Sequence, residues 1–321
     1  MRNRFFAAID MGTNSFHLII VEVLPDGAFR IIDREREVIR LGLSAGKDLS
    51  FITDEEIEKA IKILAGFKKL SDFYKAELKA VATSAVREAK NQKEFLESVL
   101  NSTGINVEVI DGSREASLIY KGVQRALPVV DRNVLCVDIG GGSSEFIFGE
   151  KGSITFAESI KIGAVRLSKK YFTDYVLTNQ AIKDCSDYAE EQITKNSGIN
   201  FNINFEYAVG TSGTMQSAAW MIAHPGKIRN SKSLNSFSFT RDQLTDITKL
   251  ILSYKTLEER KLIKGIELKR ADILPAGLII LNKVFELFSI KSMTISEYAL
   301  REGIISEMLS SNHKQHLTHN K

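Results

Sequence analysis

The strongest constraint on the fold is a pattern that occurs twice: an apolar strand ending in aspartate, a turn of glycine and small polar residues, and a second strand. The first copy covers residues 10–15 and the second covers residues 138–143, an offset of 128 positions. In both copies the flanking segments predict three consecutive strands, with further turns at 25–27 and 150–152. A shared order of elements around a repeated motif predicts a duplicated domain; chance matching of Asp, Gly and Ser is the alternative.

The rest of the first copy alternates between helix and strand signals. An N-cap at Thr53 followed by acidic residues predicts a helix, and further helical segments are expected around residues 95–100 and from Ser113. With strands at 77–82 and 106–110, the order becomes βββαβαβα, which predicts an α/β fold.

The length of the chain predicts two domains, because 321 residues exceed what one hydrophobic core usually supports. We place the first domain at residues 1–118 and the second at 119–296, with a cleft between them. A C-terminal helix at 297–311 is expected to pack back on the first domain.

Composition narrows the class of protein. No apolar stretch reaches the length of a membrane span or of a signal-peptide core, so a cytoplasmic location is expected. Cys136 and Cys185 lack the spacing of a disulfide framework or metal site and are expected to be reduced. A net charge of +3 is compatible with an anionic substrate but decides nothing alone. Neither membrane nor nucleic acid is expected as a partner, and a homodimer is left open.

The two turns have the composition of phosphate-binding loops. Successive backbone N–H groups in such turns form a concave anion site, and glycine both tolerates positive φ and lets phosphate oxygens approach the backbone. Side-chain hydroxyls and an amide add further donors. An ordinary hairpin turn is the alternative, but the occurrence of two turns at matching positions favours phosphate binding. The predicted phosphate-binding residues are Gly12, Thr13, Asn14, Ser15, Gly140, Gly141, Gly142, Ser143 and Ser144.

Carboxylates stand beside both turns. Asp10 and Asp138 end the strands that lead into the turns, and hard oxygen ligands of this kind suit Mg²⁺. Capping of their own turns is the alternative role. Glu145 lies on the strand that leaves the second turn, where His17 occupies the equivalent place in the first. It is a second candidate ligand, and an exposed strand residue that pairs across the sheet is the alternative.

For two further residues, the surrounding sequence does not decide between a functional and a purely structural role. Arg87 follows a strand and could hold a phosphate with its two-pronged guanidinium, although most arginines at such places are solvated. Glu115 lies in the first turn of a helix, where ordinary N-terminal capping is the favoured explanation from the residues alone.

The paired turns resemble the phosphate motifs of the superfamily that contains acetate and sugar kinases, heat-shock chaperones and actin. Within it, the chain resembles the exopolyphosphatase and guanosine pentaphosphate phosphatase family. Seven segments in the family's order carry the resemblance: residues 7–16, 82–91, 112–122, 137–145, 210–214, 270–277 and 300–303. They extend over nearly the whole sequence.

The resemblance implies a hydrolase of phosphoanhydrides with two duplicated actin-like, ribonuclease H-like domains, each a mixed five-stranded sheet flanked by helices, and a cleft between them. It implies Mg²⁺ or Mn²⁺ as cofactor, and polyphosphate or guanosine pentaphosphate as substrate. By motif, Glu115 becomes the catalytic base, Arg87 binds substrate phosphate, and Asp138, Gly140 and Glu145 serve metal and phosphate. Glu145 is therefore predicted both as a catalytic residue and as a metal ligand, with Asp10 as a further ligand.

The sequence departs from the family at two positions: Arg114 stands where many members carry an acid, and Ser117 where an arginine is usual. These departures leave the details of substrate binding open. The chain resembles the short members that lack added C-terminal helical domains. An ATP-dependent kinase or ATPase of the same superfamily is the alternative function, with 210–214 as an adenosine-side loop. A catalytically silent polyphosphate-binding module is the third.

Overall fold

The computed structural model describes residues 4–42, 50–195, 198–228, 230 and 232–318, with side chains as far as residue 311. The chain divides into two compact units. One comprises Met1–Gly122 together with Tyr298–Lys321, and the other comprises Val123–Glu297. Each unit contains one β-sheet flanked by helices, so the predicted α/β class is confirmed.

The elements follow each other in two similar series. The first series is β1 (Arg4–Met11), β2 (Ser15–Val23), β3 (Phe29–Val38), α1 (Asp54–Phe73), β4 (Glu77–Ala82), α2 (Ser84–Glu88), α3 (Gln92–Thr103), β5 (Val107–Val109) and α4 (Gly112–Ala126). The second is β6 (Asn133–Ile139), β7 (Ser144–Glu150), β8 (Ser153–Ile160), α5 (Ala164–Tyr171), α6 (Asn179–Lys195), β9 (Tyr207–Thr211), α7 (Ser212–Ala223), β10 (Ser238–Thr240), α8 (Arg241–Ser253), α9 (Leu257–Lys261), α10 (Leu274–Leu287) and β11 (Ser292–Ile295). Helix α11 (Leu300–Thr318) ends the chain, and 3₁₀ turns occupy Thr173–Tyr175 and Leu268–Arg270.

The two sheets repeat one topology. In the first, the strand order is β3-β2-β1-β4-β5, with β1 parallel to β4 and antiparallel to β2. In the second, the order is β10-β11-β9-β6-β7-β8, with β6 parallel to β9 and antiparallel to β7. The second sheet therefore has one strand more than the predicted five. The additional strand β10 has only three residues, of which Phe239 alone is buried, so it has no clear strand signal in the sequence.

The repeat extends to the register and the turn hydrogen bonds. Asp10 pairs with His17 across β1 and β2, and Asp138 pairs with Glu145 across β6 and β7, at the same offset of 128 positions. The N–H of Gly12 donates to the Ser15 carbonyl at 3.2 Å, and that of Gly140 donates to the Ser143 carbonyl at 3.0 Å. The predicted duplication is confirmed by this shared topology and hydrogen bonding.

The local signals act as expected in the first unit. Thr53 caps α1: its hydroxyl accepts from the Glu56 N–H, and the Glu56 carboxylate accepts from the Thr53 N–H. Helix α11 packs against β1 and β2, and it crosses α4 so closely that a Cβ on Gly303 would overlap the backbone of Leu118. No helix in the described part of the chain is long and apolar enough to cross a membrane.

Candidate active site

The second turn, between β6 and β7, directs its carbonyls toward α5. The carbonyl of Gly140 accepts from Ala164 N–H at 2.9 Å, and that of Gly141 accepts from the Val165 and Arg166 N–H groups at 2.9 and 3.1 Å. The Gly142 carbonyl accepts from Arg166 Nε at 2.7 Å. Because C=O and N–H point in opposite directions in a trans peptide, the N–H groups of residues 141–143 face away from α5. This arrangement is what an anion-binding turn requires.

Space and not φ explains the first glycine of each turn. Positive φ was one predicted reason for glycine, yet none of Gly12, Gly140, Gly141 or Gly142 adopts it. A Cβ on Gly12 or Gly140 would instead lie 3.2 or 3.1 Å from the carbonyl oxygen three residues later, which is tighter than ordinary contact. The expectation of positive φ was wrong, because the close return of the chain is the constraint here.

A row of polar side chains crosses four strands of the second sheet beside this turn. Thr211, Asp138, Glu145 and Ser159 are register partners on β9, β6, β7 and β8. The Thr211 hydroxyl donates to Asp138 Oδ2, and the Ser159 hydroxyl donates to Glu145 Oε1 at 2.7 Å. Asp138 is 8% exposed and Glu145 1% exposed, so the interpretation of Glu145 as an exposed strand residue was wrong.

Two carboxylates held side by side in a buried position suit a cation. Directly paired strand residues have Cβ atoms only ~5 Å apart, and two like charges at that distance disfavour each other unless a positive charge lies nearby. Burial, followed by the charges of Asp138 and Glu145, raises the pKa of the Cys136 thiol. Within the described residues, no group of three or more His, Cys, Asp or Glu side chains forms a metal cluster. One or two carboxylates, completed by water and phosphate oxygens, are nevertheless the usual protein contribution to a Mg²⁺ site.

The Ser144 hydroxyl already has an acceptor within the second unit. Ser143 and Ser144 are both buried, but the Ser144 hydroxyl donates to the Ile162 carbonyl at 2.8 Å. A hydroxyl has one proton, so Ser144 has none left to donate to a phosphate.

The first turn, between β1 and β2, holds buried polar atoms without partners. Thr13 and Asn14 are 3% and 5% exposed, and neither Thr13 Oγ1 nor the two Asn14 side-chain amide atoms has a hydrogen-bond partner among the described residues. Their carbonyls are occupied, because Thr13 accepts from Leu41 N–H and Asn14 accepts from the N–H groups of residues 39 and 40. Buried polar atoms left unsatisfied are costly, so this turn has the character of a site that a polar ligand completes.

Asp10 belongs to a row across the first sheet. It pairs with His17 on β2, which pairs with Arg36 on β3, while Val81 on β4 takes the place that Thr211 has in the second sheet. Asp10 is partly exposed. The two aspartates therefore differ in their surroundings, since Asp10 has histidine and arginine on one side where Asp138 has glutamate and serine.

Glu115 and Arg87 lie together in the first unit. Arg87 Nη1 donates to Glu115 Oε2 at 2.9 Å and to the Ile110 carbonyl at 2.9 Å, and Glu115 is 6% exposed. The N-terminus of α4 is capped by Asp111, whose Oδ1 accepts from Arg114 N–H at 2.7 Å. Asp111 is therefore a cap of α4, and the interpretation of Arg87 as a solvated arginine was wrong. Arg87 was misjudged because the short helix α2, which carries it, has no periodic signal in five residues.

The two positions at which the sequence departs from the family have different roles. Arg114 donates to Glu307 of α11 and lies 3.9 Å from Glu108, so its guanidinium serves ion pairs within the first unit. The hydrogen bond that Arg114 donates to Glu307 raises the pKa of Arg114. Ser117 is a partly exposed residue of α4.

Several residues of the site were not singled out from the sequence. Thr211 was noted only as part of a glycine-containing segment, and its contact with Asp138, 73 residues away, has no local signal. In the same segment, a Cβ on Gly213 would overlap the Arg270 guanidinium, so this arginine covers the start of α7. Ser159 and Arg36 join the two rows through strand register alone.

The chain is similar to known phosphatases over most of its length. The model of the Ppx/GppA phosphatase family matches residues 19–312. A guanosine-5′-triphosphate,3′-diphosphate pyrophosphatase of Photobacterium profundum is 34% identical over 95% of this chain, which spans 59% of the length of that relative. A crystal structure of an exopolyphosphatase from Cytophaga hutchinsonii is 32% identical, with a TM-score of 0.87 over 96% of this chain and 98% of that one. The crystal structure of an Aquifex aeolicus Ppx/GppA family member is 29% identical, with a TM-score of 0.80 over 97% and 99%.

Proposed function

Because the chain belongs to the Ppx/GppA phosphatase family, we propose that it removes terminal orthophosphate from inorganic polyphosphate, the 5′ phosphate from guanosine pentaphosphate, or both. The observation that carries the proposal is the pair of matched turns, each with the same internal hydrogen bond and an adjacent aspartate. Each turn by itself has the character of a phosphate-binding site. The names of the similar proteins support this choice of substrates.

The phosphate-binding role falls to backbone N–H groups and a few side chains. In the second turn, the N–H groups that face away from α5 are the donors, with Ser143 beside them. In the first turn, Thr13 and Asn14 offer buried polar atoms without partners among the described residues. We assign Arg87 to substrate phosphate as well. Phosphoryl transfer relies chiefly on positioning and charge stabilisation, which such fixed donors supply.

The metal-binding role falls to Asp138 and Glu145, with Asp10 as a further candidate ligand. The paired, buried carboxylates fit a hard divalent cation such as Mg²⁺ or Mn²⁺. When bound, such an ion offsets the negative charge of the phosphate oxygens. Thr211 and Ser159 hold the two carboxylates in place by donating to them.

Glu115 is the proposed base that takes a proton from the attacking water. The contact with Arg87 fixes the orientation of its carboxylate, and Asp111 accepts from the Arg114 N–H at the N-terminus of α4. A base that is held within reach of one water needs little reorganisation at the moment of reaction. We also propose that the protein is located in the cytoplasm.

Replacing Glu115 with glutamine tests the base and the reaction together. The amide keeps an oxygen for Arg87 but cannot take up a proton, so turnover should fall at least about 100-fold while substrate binding persists. Phosphate release is measured with polyphosphate, guanosine pentaphosphate and ATP, each with Mg²⁺ and with Mn²⁺. Glu55→Gln is the matched control, because Glu55 lies exposed in the first turn of α1 and makes the same change of charge in the same unit.

The outcomes separate the candidate functions. Release from polyphosphate or guanosine pentaphosphate in the wild type, lost in Glu115→Gln and kept in Glu55→Gln, supports the proposal. Release from ATP alone favours the kinase or ATPase alternative. Binding of polyphosphate without any release identifies a silent module, and an unchanged Glu115→Gln variant removes this residue from the role of base.

A further inference from the structure

His17 connects the first phosphate turn to the C-terminal helix. Its Nε2 lies 2.8 Å from the Ser15 hydroxyl, and its Nδ1 lies 3.5 Å from Nη1 of Arg301 on α11. We infer that His17 is a positioning residue, which fixes the hydroxyl proton of Ser15 so that it is donated to a phosphate oxygen of the substrate. The inference rests on the proposed function in one respect, namely that the first turn binds phosphate.

The neighbours of the imidazole decide which ring nitrogen carries the proton. A guanidinium nitrogen can only donate, so the Nδ1 that faces Arg301 must accept. In the neutral ring the proton then resides on Nε2, and Nε2–H donates to Ser15. Asp10 and Arg36 are the register partners of His17 on β1 and β3, and both carry charge.

Ser15 has one proton, and this contact determines where it goes. A hydroxyl that accepts from Nε2–H cannot donate back to the same nitrogen, so its own proton must turn to another acceptor. Ser15 is 4% exposed, which keeps bulk water from serving that role. The neighbouring side chains of Thr13 and Asn14 also hold buried polar atoms without partners among the described residues. Three adjacent side chains of the turn are thereby poised for one polar ligand.

The second turn carries a different residue at the position equivalent to His17. Glu145 occupies the position equivalent to His17, and its carboxylate accepts from the Ser159 hydroxyl at 2.7 Å. A carboxylate at this position favours a cation, whereas a histidine locked as a donor favours an anion. The two halves of the duplicated fold therefore differ in the ligand that they favour at this position, and His17 makes the first turn suited to phosphate.

A double-mutant cycle tests this role independently of turnover. The affinity for inorganic polyphosphate is measured by isothermal titration calorimetry without divalent metal, so that no turnover consumes the ligand, for the wild type, His17→Met, Ser15→Ala and the double variant. Loss of one donor to a charged oxygen should weaken binding about 10- to 100-fold in each single variant. If His17 acts through Ser15, the double variant binds about as weakly as Ser15→Ala alone. His17→Gln, which retains a donor, should bind within about threefold of the wild type.

A spectroscopic measurement supplies a second criterion. Nitrogen-15 chemical shifts of the imidazole, assigned by comparison with His17→Gln, should show the proton on Nε2. An additive cycle, or a proton on Nδ1, would overturn the inference. So would complete lack of polyphosphate binding by the wild type. If polyphosphate binds and the cycle is coupled but no phosphate is released from any substrate, the proposed hydrolase activity fails while the role of His17 stands.

Discussion

Replacing Thr211 with valine should weaken metal binding and the fold together, because its hydroxyl supports a proposed metal ligand. Valine has nearly the same shape, so the change removes little beyond the hydrogen bond to Asp138. Thr211 is 0% exposed and Asp138 is 8% exposed, which leaves water little room to replace the missing donor.

The size of the effect follows from the charge of the acceptor. A hydrogen bond to a charged group contributes about 1.5–3 kcal/mol, so the free energy of unfolding should fall by that amount. Loss of a residue that orients a metal ligand typically weakens metal affinity about 10- to 100-fold. We therefore expect the midpoint of Mn²⁺ binding to rise by that factor in calorimetric titration, and the midpoint of urea unfolding to fall.

Thr214→Val is the matched control, since Thr214 lies in the first turn of α7, three residues after Thr211, and is 2% exposed. Its hydroxyl donates to the Ile139 carbonyl at 3.1 Å, and that carbonyl also accepts from Ser212 Oγ at 2.7 Å. This variant should lose only about 0.5–1.5 kcal/mol and leave the Mn²⁺ midpoint unchanged. If both variants shift that midpoint equally, or Thr211→Val shifts it less than twofold, Asp138 is not held for a metal in the way proposed.

Two further predictions concern stability. Burial raises the pKa of Cys136, and it raises that of Cys185 to about 12, so both thiols stay protonated in the fold while unfolded cysteine ionises near pH 8.5. The stability that these protonated thiols contribute is complete below that pH and is lost as pH rises. Above it, the free energy of unfolding should approach a slope of about −1.4 kcal/mol per cysteine per pH unit. In the variant with serine at both positions, the urea midpoint should depend less on pH. Gly122→Ala should cost at least about 1–3 kcal/mol, because a Cβ would overlap the Ala299 backbone. A Cβ on Gly66 would meet nothing within 4 Å, so Gly66→Ala should instead raise the thermal midpoint through about 1 kcal/mol of helix propensity. Equal effects of the two alanines would contradict the close approach of the Ala299 backbone to α4.

The strands and turns of the site were predictable because their signals are local. Strand β4 was predicted with the bounds that the structure shows, and Thr53 caps α1 as its sequence indicates. The strand β10 and helix α2 were missed, since three and five residues are too few to show a period. That Asp111 caps α4 was not predicted, because which residue accepts from the free N–H groups depends on the geometry of the helix terminus.

The sequence by itself determined the duplication, the two turns and the carboxylates beside them, since apolar alternation and glycine placement act over a few residues. Only the tertiary structure decided the partners of those side chains. Thr211 contacts Asp138, Arg87 contacts Glu115, and Arg301 contacts His17 from 284 positions away. These contacts are set by strand register and helix packing, which join residues distant in the chain. A periodic pattern fixes which face of an element is buried, but it does not fix which other element covers that face.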